Sequence, residues 1–211
     1  MRKIFLSLTM LLTFLTATAF AAEENETATG FEYTSKTYGF KIACPAEPKV
    51  VVNPFENPKE QGELLVFAND GIKILYGYQI KLDAFDDKTM PDLNKADKKT
   101  LDAYLEKLRV NEAYEYAEVG SISKDNKAVF AVTAKEIEVK DENGEVEGVL
   151  TAETQNAIAF FRTKSGRCIS IQFITDKIDD EAVENFRKSV MSYQDATDLA
   201  MIDKKSKKSK K

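Results

Sequence analysis

Between residues 72 and 82 nearly every second side chain is apolar. Ile72, Ile74, Tyr76, Tyr78, Ile80 and Leu82 fall on one face of an extended chain, and Lys73, Gln79 and Lys81 on the other. A period of two would scatter those six residues round a helix, so the stretch predicts a β-strand with at least one covered face. Asn69-Asp70-Gly71 before it is a tight-turn signal, and residues 63–68 supply the other arm of a hairpin. Residues 31–36 and 38–44 predict an earlier hairpin turning at 37–39. Phe31 and Tyr33 share a face in its first arm, and Phe40, Ile42 and Cys44 in its second, before Pro45 ends it.

The remaining chain continues the pattern, interrupted by two helices. Leu101, Tyr104, Leu105 and Leu108 have helical spacing and predict a helix over 97–111, with Asp97 as N-cap. Four strands follow, over 114–123, 127–140, 148–162 and 167–176. They are separated by Lys124-Asp125-Asn126, Asp141-Glu142-Asn143-Gly144 and Lys164-Ser165-Gly166. The middle strands are apolar on both faces over 129–134 and 157–161, as expected where layers cover both sides. Val183, Phe186, Val190 and Tyr193 line one side of a last helix over 180–193, capped by Asp179 or Asp180.

This order of elements, together with the Tyr38-Gly39-Phe40-Lys41-Ile42 strand ending at Pro45, resembles the PsbP-like family, which includes accessory proteins of the oxygen-evolving complex and secreted bacterial modules. The resemblance covers residues 31–193. It implies an α+β fold, a central antiparallel β-sheet with helices packed on its faces in an α/β/α sandwich, and a non-enzymatic binding or assembly role. Relatives often carry a tryptophan soon after the proline; this chain has none. No functional residues transfer, and a fold by itself does not give a function.

The N-terminus predicts export. Arg2 and Lys3 precede an apolar run over 4–15, and Ala19-Phe20-Ala21 presents small residues where signal peptidase reads them. The competing reading is an uncleaved anchor, because the apolar stretch over 4–22 approaches the roughly 20 residues of a spanning helix. Five Ser or Thr residues within it and the cleavage site favour removal. The expected organisation is a signal peptide (1–21), a polar leader (22–30), a single α+β domain (31–193) and a tail (194–211), secreted or retained in the periplasm or envelope. Nothing resembling a second spanning segment follows, so the mature chain is expected to be soluble.

Charge is unevenly placed. Without residues 1–21 the chain has 28 basic and 35 acidic residues, or −7. Six of those cations, Lys204, Lys205, Lys207, Lys208, Lys210 and Lys211, crowd the last eight positions, leaving −13 on the rest. An acidic body argues against nucleic acid, which needs a basic face. The lysine end reads either as a weak tether to an anionic membrane or wall polymer or as a solubilising terminus.

Histidine is absent, which removes Ser-His-Asp triads, Cys-His pairs and histidine-bearing zinc sites. No cofactor is expected. Cys44 and Cys168 form an even pair in an exported chain, so they read either as a disulfide or as two buried thiols. The acidic stretches Asp83, Asp86, Asp87 and Asp141, Glu142, Asn143, Glu145 lack calcium-loop spacing and read as solvated turns, as does Lys164-Ser165. Tyr76, Tyr78, Tyr104, Tyr114 and Tyr116 read as core, or as the lining of a pocket. Residues 45–62 hold four of the five prolines and offer Val50, Val52 and Phe55 as a partner-binding loop, with 50–52 a short edge strand. The expectation is therefore a non-enzymatic binding or assembly protein with an envelope partner. The alternatives are a small-molecule carrier with a tyrosine-lined pocket, or a carboxylate- or metal-dependent hydrolase.

Overall fold

The computed structural model describes residues 30–69, 74–85, 90–111, 114–140, 143, 145–152, 155–175 and 178–198. The expected signal peptide, the expected polar leader up to residue 29, Asp86, Asp87, Asp141, Glu142 and the lysine end lie outside these residues. Short strands β1 (Phe31–Thr34) and β2 (Lys41–Cys44) pair antiparallel as the first hairpin. The main sheet comprises β3 (Val50–Val52), β4 (Gln61–Asn69), β5 (Ile74–Leu82), β6 (Tyr114–Ser123), β7 (Asn126–Thr133), β10 (Asn156–Arg162) and β11 (Cys168–Thr175). Its order is β3-β4-β5-β11-β10-β7-β6, antiparallel throughout. A separate ribbon is formed by β8 (Glu136–Lys140) and β9 (Val146–Thr151). The helices are α1 (Lys98–Asn111) and α2 (Asp180–Ser192).

Strand alternation dictates the layering. On β7, Ala128 and Phe130 point one way and Val129 and Ala131 the other, and all four are buried, so this part of the sheet needs cover on both faces. On one face, Phe130, Phe161, Ile171, Phe173, Tyr78 and Leu65 meet Phe186 and Val190 of α2, Ile42 and Cys44 of β2, and Phe40 just before it. Phe186 stacks on Phe173 at 5.5 Å, and Tyr78 stands edge-on to both at 5.8 and 5.7 Å. Each fully buried aromatic of this kind stabilises the fold by about 2–3 kcal/mol. On the other face, Leu105 of α1 and Met90 and Leu93 of the preceding loop cover Val129, Ala131 and Ala117. The fold is α+β, an antiparallel sheet with one helix on each face.

Both helices begin where the capping residues predict. Asp97 accepts from Thr100 N at 2.8 Å ahead of α1, and Asp179 accepts from Ala182 N at 2.9 Å ahead of α2. Two expectations need correction. The strands expected over 127–140 and 148–162 are each broken in two, so six strands rather than four follow α1. At the break, side chains take over from the backbone ladder: Thr133 Oγ1 accepts from Asn156 N at 2.9 Å, and Gln155 Nε2 donates to Thr133 O at 3.1 Å. A backbone bond from Ala152 N to Lys135 O at 2.8 Å then restarts the ladder as the β8–β9 arm.

The expected domain end at residue 193 also falls short. Gln194 and Lys41 exchange two backbone bonds of 2.9 Å, Asp195 is buried, and Asp198 accepts from Lys164 N and Ser165 N at 3.0 and 2.8 Å. The folded body therefore continues to Asp198.

Candidate functional site

Cys44 and Cys168 are both buried thiols and are not bridged. Cys44 belongs to the core between the main sheet and α2, with Ile169, Ile171 and Phe173 of β11. Cys168 precedes Ile169 and so points to the opposite face of the same strand. The electrostatic neighbours of Cys44 include Tyr76 and Tyr78, which pair with Thr175 and Phe173 at the far end of β11 from Cys168. Five strand residues span about 17 Å, whereas a disulfide needs Cα atoms within about 7 Å. The buried-thiol reading holds, and burial pushes the Cys44 thiol up to about 12.

The proline-rich segment divides. Val50, Val51 and Val52 form the terminal strand β3, paired with Val66, Leu65 and Leu64, and are 39, 42 and 45 % exposed. Phe55 is not displayed with them. Its ring turns back onto Gly62, where a Cβ would lie 2.8 Å from Phe55 Cε2 and 2.0 Å from Ile80 O. Lys81 Nζ sits 5.2 Å from the ring centroid and pairs with Glu60 at 2.8 Å. Gly62, with φ at +153°, is the residue that makes this fold-back possible, and sequence reasoning passed over it.

The tyrosines do not come together round a cavity. Tyr78 is fully buried in the main core, Tyr76 packs against it, Tyr104 of α1 and Tyr114 of β6 pack against the second core, and Tyr116 donates to Glu118, which also holds Arg187. A cleft of about 240 Å³ opens elsewhere, between the 90–94 loop and the ends of β7 and β10. It is lined by Asp92, Asn94, Asn126, Arg162 and Lys164 among others and by none of the tyrosines. Arg162 is committed across its floor, donating to the carbonyls of Met90 and Pro91. Among the described residues no group of three or more acidic or thiol side chains is placed to hold a metal. Asp83 is taken up by Arg167 instead, through bonds of 3.0–3.3 Å.

Two buried carboxylates lock the body. Glu63 accepts from Tyr33 Oη at 2.9 Å and Ser35 Oγ at 3.0 Å, fastening the first hairpin to β4. Asp195, 1 % exposed, accepts from Thr197 N at 2.8 Å and lies 3.7 Å from Arg167, which also reaches Gln61 at 3.0 Å. Burial, with the Asp195 charge beside it, holds the Tyr193 phenol above its ordinary range. These contacts are structural anchors and leave the chemistry to the surface.

On that surface the β8–β9 arm stands out. Its apolar side chains Val146, Val149 and Leu150 are 53, 53 and 62 % exposed. Register places Leu150 opposite Ile137 and Val149 opposite Glu138. The arm and β3 are thus two strand elements presenting uncovered apolar residues, one beyond the sheet and one at its edge.

The fold defines an α+β protein built on a seven-stranded antiparallel sheet. No protein-family profile matches the sequence, and neither does any curated protein sequence. Among solved structures it is similar to cyanobacterial PsbP (CyanoP) from Synechocystis sp. PCC 6803, with a TM-score of 0.46 and 10 % identity, over 85 % of this chain and 98 % of that one.

Proposed function

We propose that this chain is an exported, non-enzymatic binding or assembly protein of the cell envelope that engages a partner along strand β3. The observation that carries the reading is the run Val50-Val51-Val52, three exposed valines on the terminal strand of the main sheet. An uncharged apolar strand at a sheet edge is a template for an added strand, and proteins that do not use such an edge commonly block it with lysine, proline or a bulge. The opposite edge, β6, is managed in that way: it carries register shifts near both ends and holds Glu118 in a contact with Arg187. The partner is an extended segment of an envelope protein. The leader, with its basic start, apolar run and Ala19-Phe20-Ala21, supports export. The lysine end adds weak attachment to an anionic membrane or wall polymer. Membership in the PsbP-like family is part of this proposal, supported by element order and the Gly39-Phe40-x-Ile42-x-x-Pro45 strand.

The test is Val51→Lys. This exposed substitution blocks the edge and should leave the melting temperature within about 2 °C. Capture from the native envelope should lose its partner by about tenfold or more, the effect of roughly 1.4 kcal/mol. Equal capture by both proteins overturns the edge reading. The mass of the exported product tests the location; it should begin at Ala22.

A further inference from the structure

The β8–β9 arm is a two-stranded ribbon, an architecture that is marginal in water without cover. Its side chains do not alternate between apolar and neutral polar. Glu136, Val149 and Thr151 share a face, to which the bulge at Glu147 also brings Val146, and Leu150 lies on the other; the register sets Glu138 opposite Val149. In sequence, residues 136–153 hold seven acidic residues and one lysine, a net −6 out of the −13 borne outside the lysine end. The last eight residues carry six lysines, +6. Nearly half of the body's excess charge is thus concentrated on one projecting element, and the chain's own end carries a charge equal in size and opposite in sign.

The covering segment is also within reach. Asp198 is fixed at the 163–166 turn through Lys164 N and Ser165 N. Measured back along β10, seven residues, the arm starts about 20 Å from that turn, and β9 extends it by nearly as much again. From Asp198 an extended chain reaches Lys204 at about 20 Å and Lys211 at about 45 Å. The lysines and the arm occupy the same interval.

We infer that the β8–β9 arm is the docking surface for this chain's own lysine-rich end, residues 204–211. Ammonium groups pair with Glu136, Glu138, Glu145 and Glu147, while the lysine stems lie over Val149. Being on the same chain, the end is present at millimolar effective concentration, which makes individually weak exposed pairs add up. The docking holds the lysines until a denser polyanion competes for them.

The test is zero-length carbodiimide coupling of the full exported protein, mixed one to one as 14N and 15N chains, followed by peptide mass mapping. Lysines 204–211 should couple chiefly to Glu136, Glu138, Glu145 and Glu147, within chains of one isotope. Raising the salt to about 0.5 M should cut these links about fivefold. The quadruple variant E136Q/E138Q/E145Q/E147Q, altered only at the arm, should lose them. Links spread over the body in proportion to exposed carboxylates overturn the inference, as do links that join the two isotopes.

Vesicles of 30 % phosphatidylglycerol in phosphatidylcholine separate this result from the tether reading. With the internal competitor gone, the quadruple variant should bind them about threefold more tightly than the parent. If neither protein binds and the same-chain links persist, the tether fails and the docking stands. If both bind equally and the links are scattered, the docking fails and the tether stands.

Discussion

One long hairpin supplies two regions with opposite fates. Its base, β7 with β10, lies in the middle of the main sheet and buries Ala128, Val129, Phe130, Ala131, Ala157, Ala159 and Phe161. Its upper half, β8 with β9, continues the same antiparallel pairing but leaves Val146, Val149 and Leu150 in solvent. The exposed upper half is the richer in β-branched residues, five of eleven against four of fifteen, so strand propensity does not explain which half is buried. What separates them is cover. α1 and α2 sandwich the base, while the upper half has its own ladder and little else. The contrast teaches that a strand pattern reports local pairing, and that stability comes from what lies across the faces.

The sharpest way to break the comparison is amide hydrogen exchange. Amides of Asn156–Arg162 should open only with the whole domain, and those of Val146–Thr151 should exchange about a thousandfold faster or more. Equal protection would mean the arm is packed as firmly as the base. The next effect is Phe161→Ala. Phe161 is fully buried and stands edge-on to Tyr193 at 5.4 Å, so urea unfolding should show a loss of about 3–5 kcal/mol.

Arg167→Met, just before β11, takes from buried Asp195 the cation beside it. Because the pair is 3.7 Å apart and the arginine is partly exposed, the expected loss is about 2 kcal/mol, below that of an ideal buried pair. Alkaline pH probes the covered side alone. The Cys44 thiol ionises near 9 when unfolded and near 12 when folded. Its contribution is whole below pH 9 and is lost as pH rises towards 12, because only the unfolded chain releases the proton. Buried phenols, Tyr78 and Tyr193 among them, fall off in the same direction from about pH 10. In Cys44→Ala the urea midpoint should therefore begin to fall about one pH unit later than in the parent. The smallest effect is Leu150→Ala, which should stay within about 0.5 kcal/mol; a loss like that of Phe161→Ala would show the arm to be core.

Much of this fold was legible because local signals agreed with tertiary demand. The alternation through Tyr76, Tyr78, Ile80 and Leu82, the Asp97 and Asp179 caps and the Phe186–Val190 face each lead to the element observed. The break after Thr133 was not legible. It depends on Gln155 and Thr133 replacing backbone bonds, and neither residue carries a turn signature. Nor was the attachment of Gln194–Asp198, which depends on a carboxylate meeting two amides of a turn 34 and 33 residues earlier. Of the proposed partner loop, the edge position of Val50–Val52 could be read from proline placement. Phe55 could not, because its fold-back depends on Gly62 lacking a side chain.

The fastening of β2 bears on when the domain can form. Its strand is held from outside the main sheet by Ala43 N donating to Ser192 Oγ at 2.7 Å and by the paired bonds between Lys41 and Gln194. The first of these spans 149 positions in the chain. A polypeptide emerging with its N-terminus foremost therefore presents residues 41–44 long before their closing contacts exist. The core over Phe40, Ile42 and Cys44 is completed only when the last helix arrives. Until then residues 41–44 lack the contacts that complete their core, and closing it waits on α2 and Gln194.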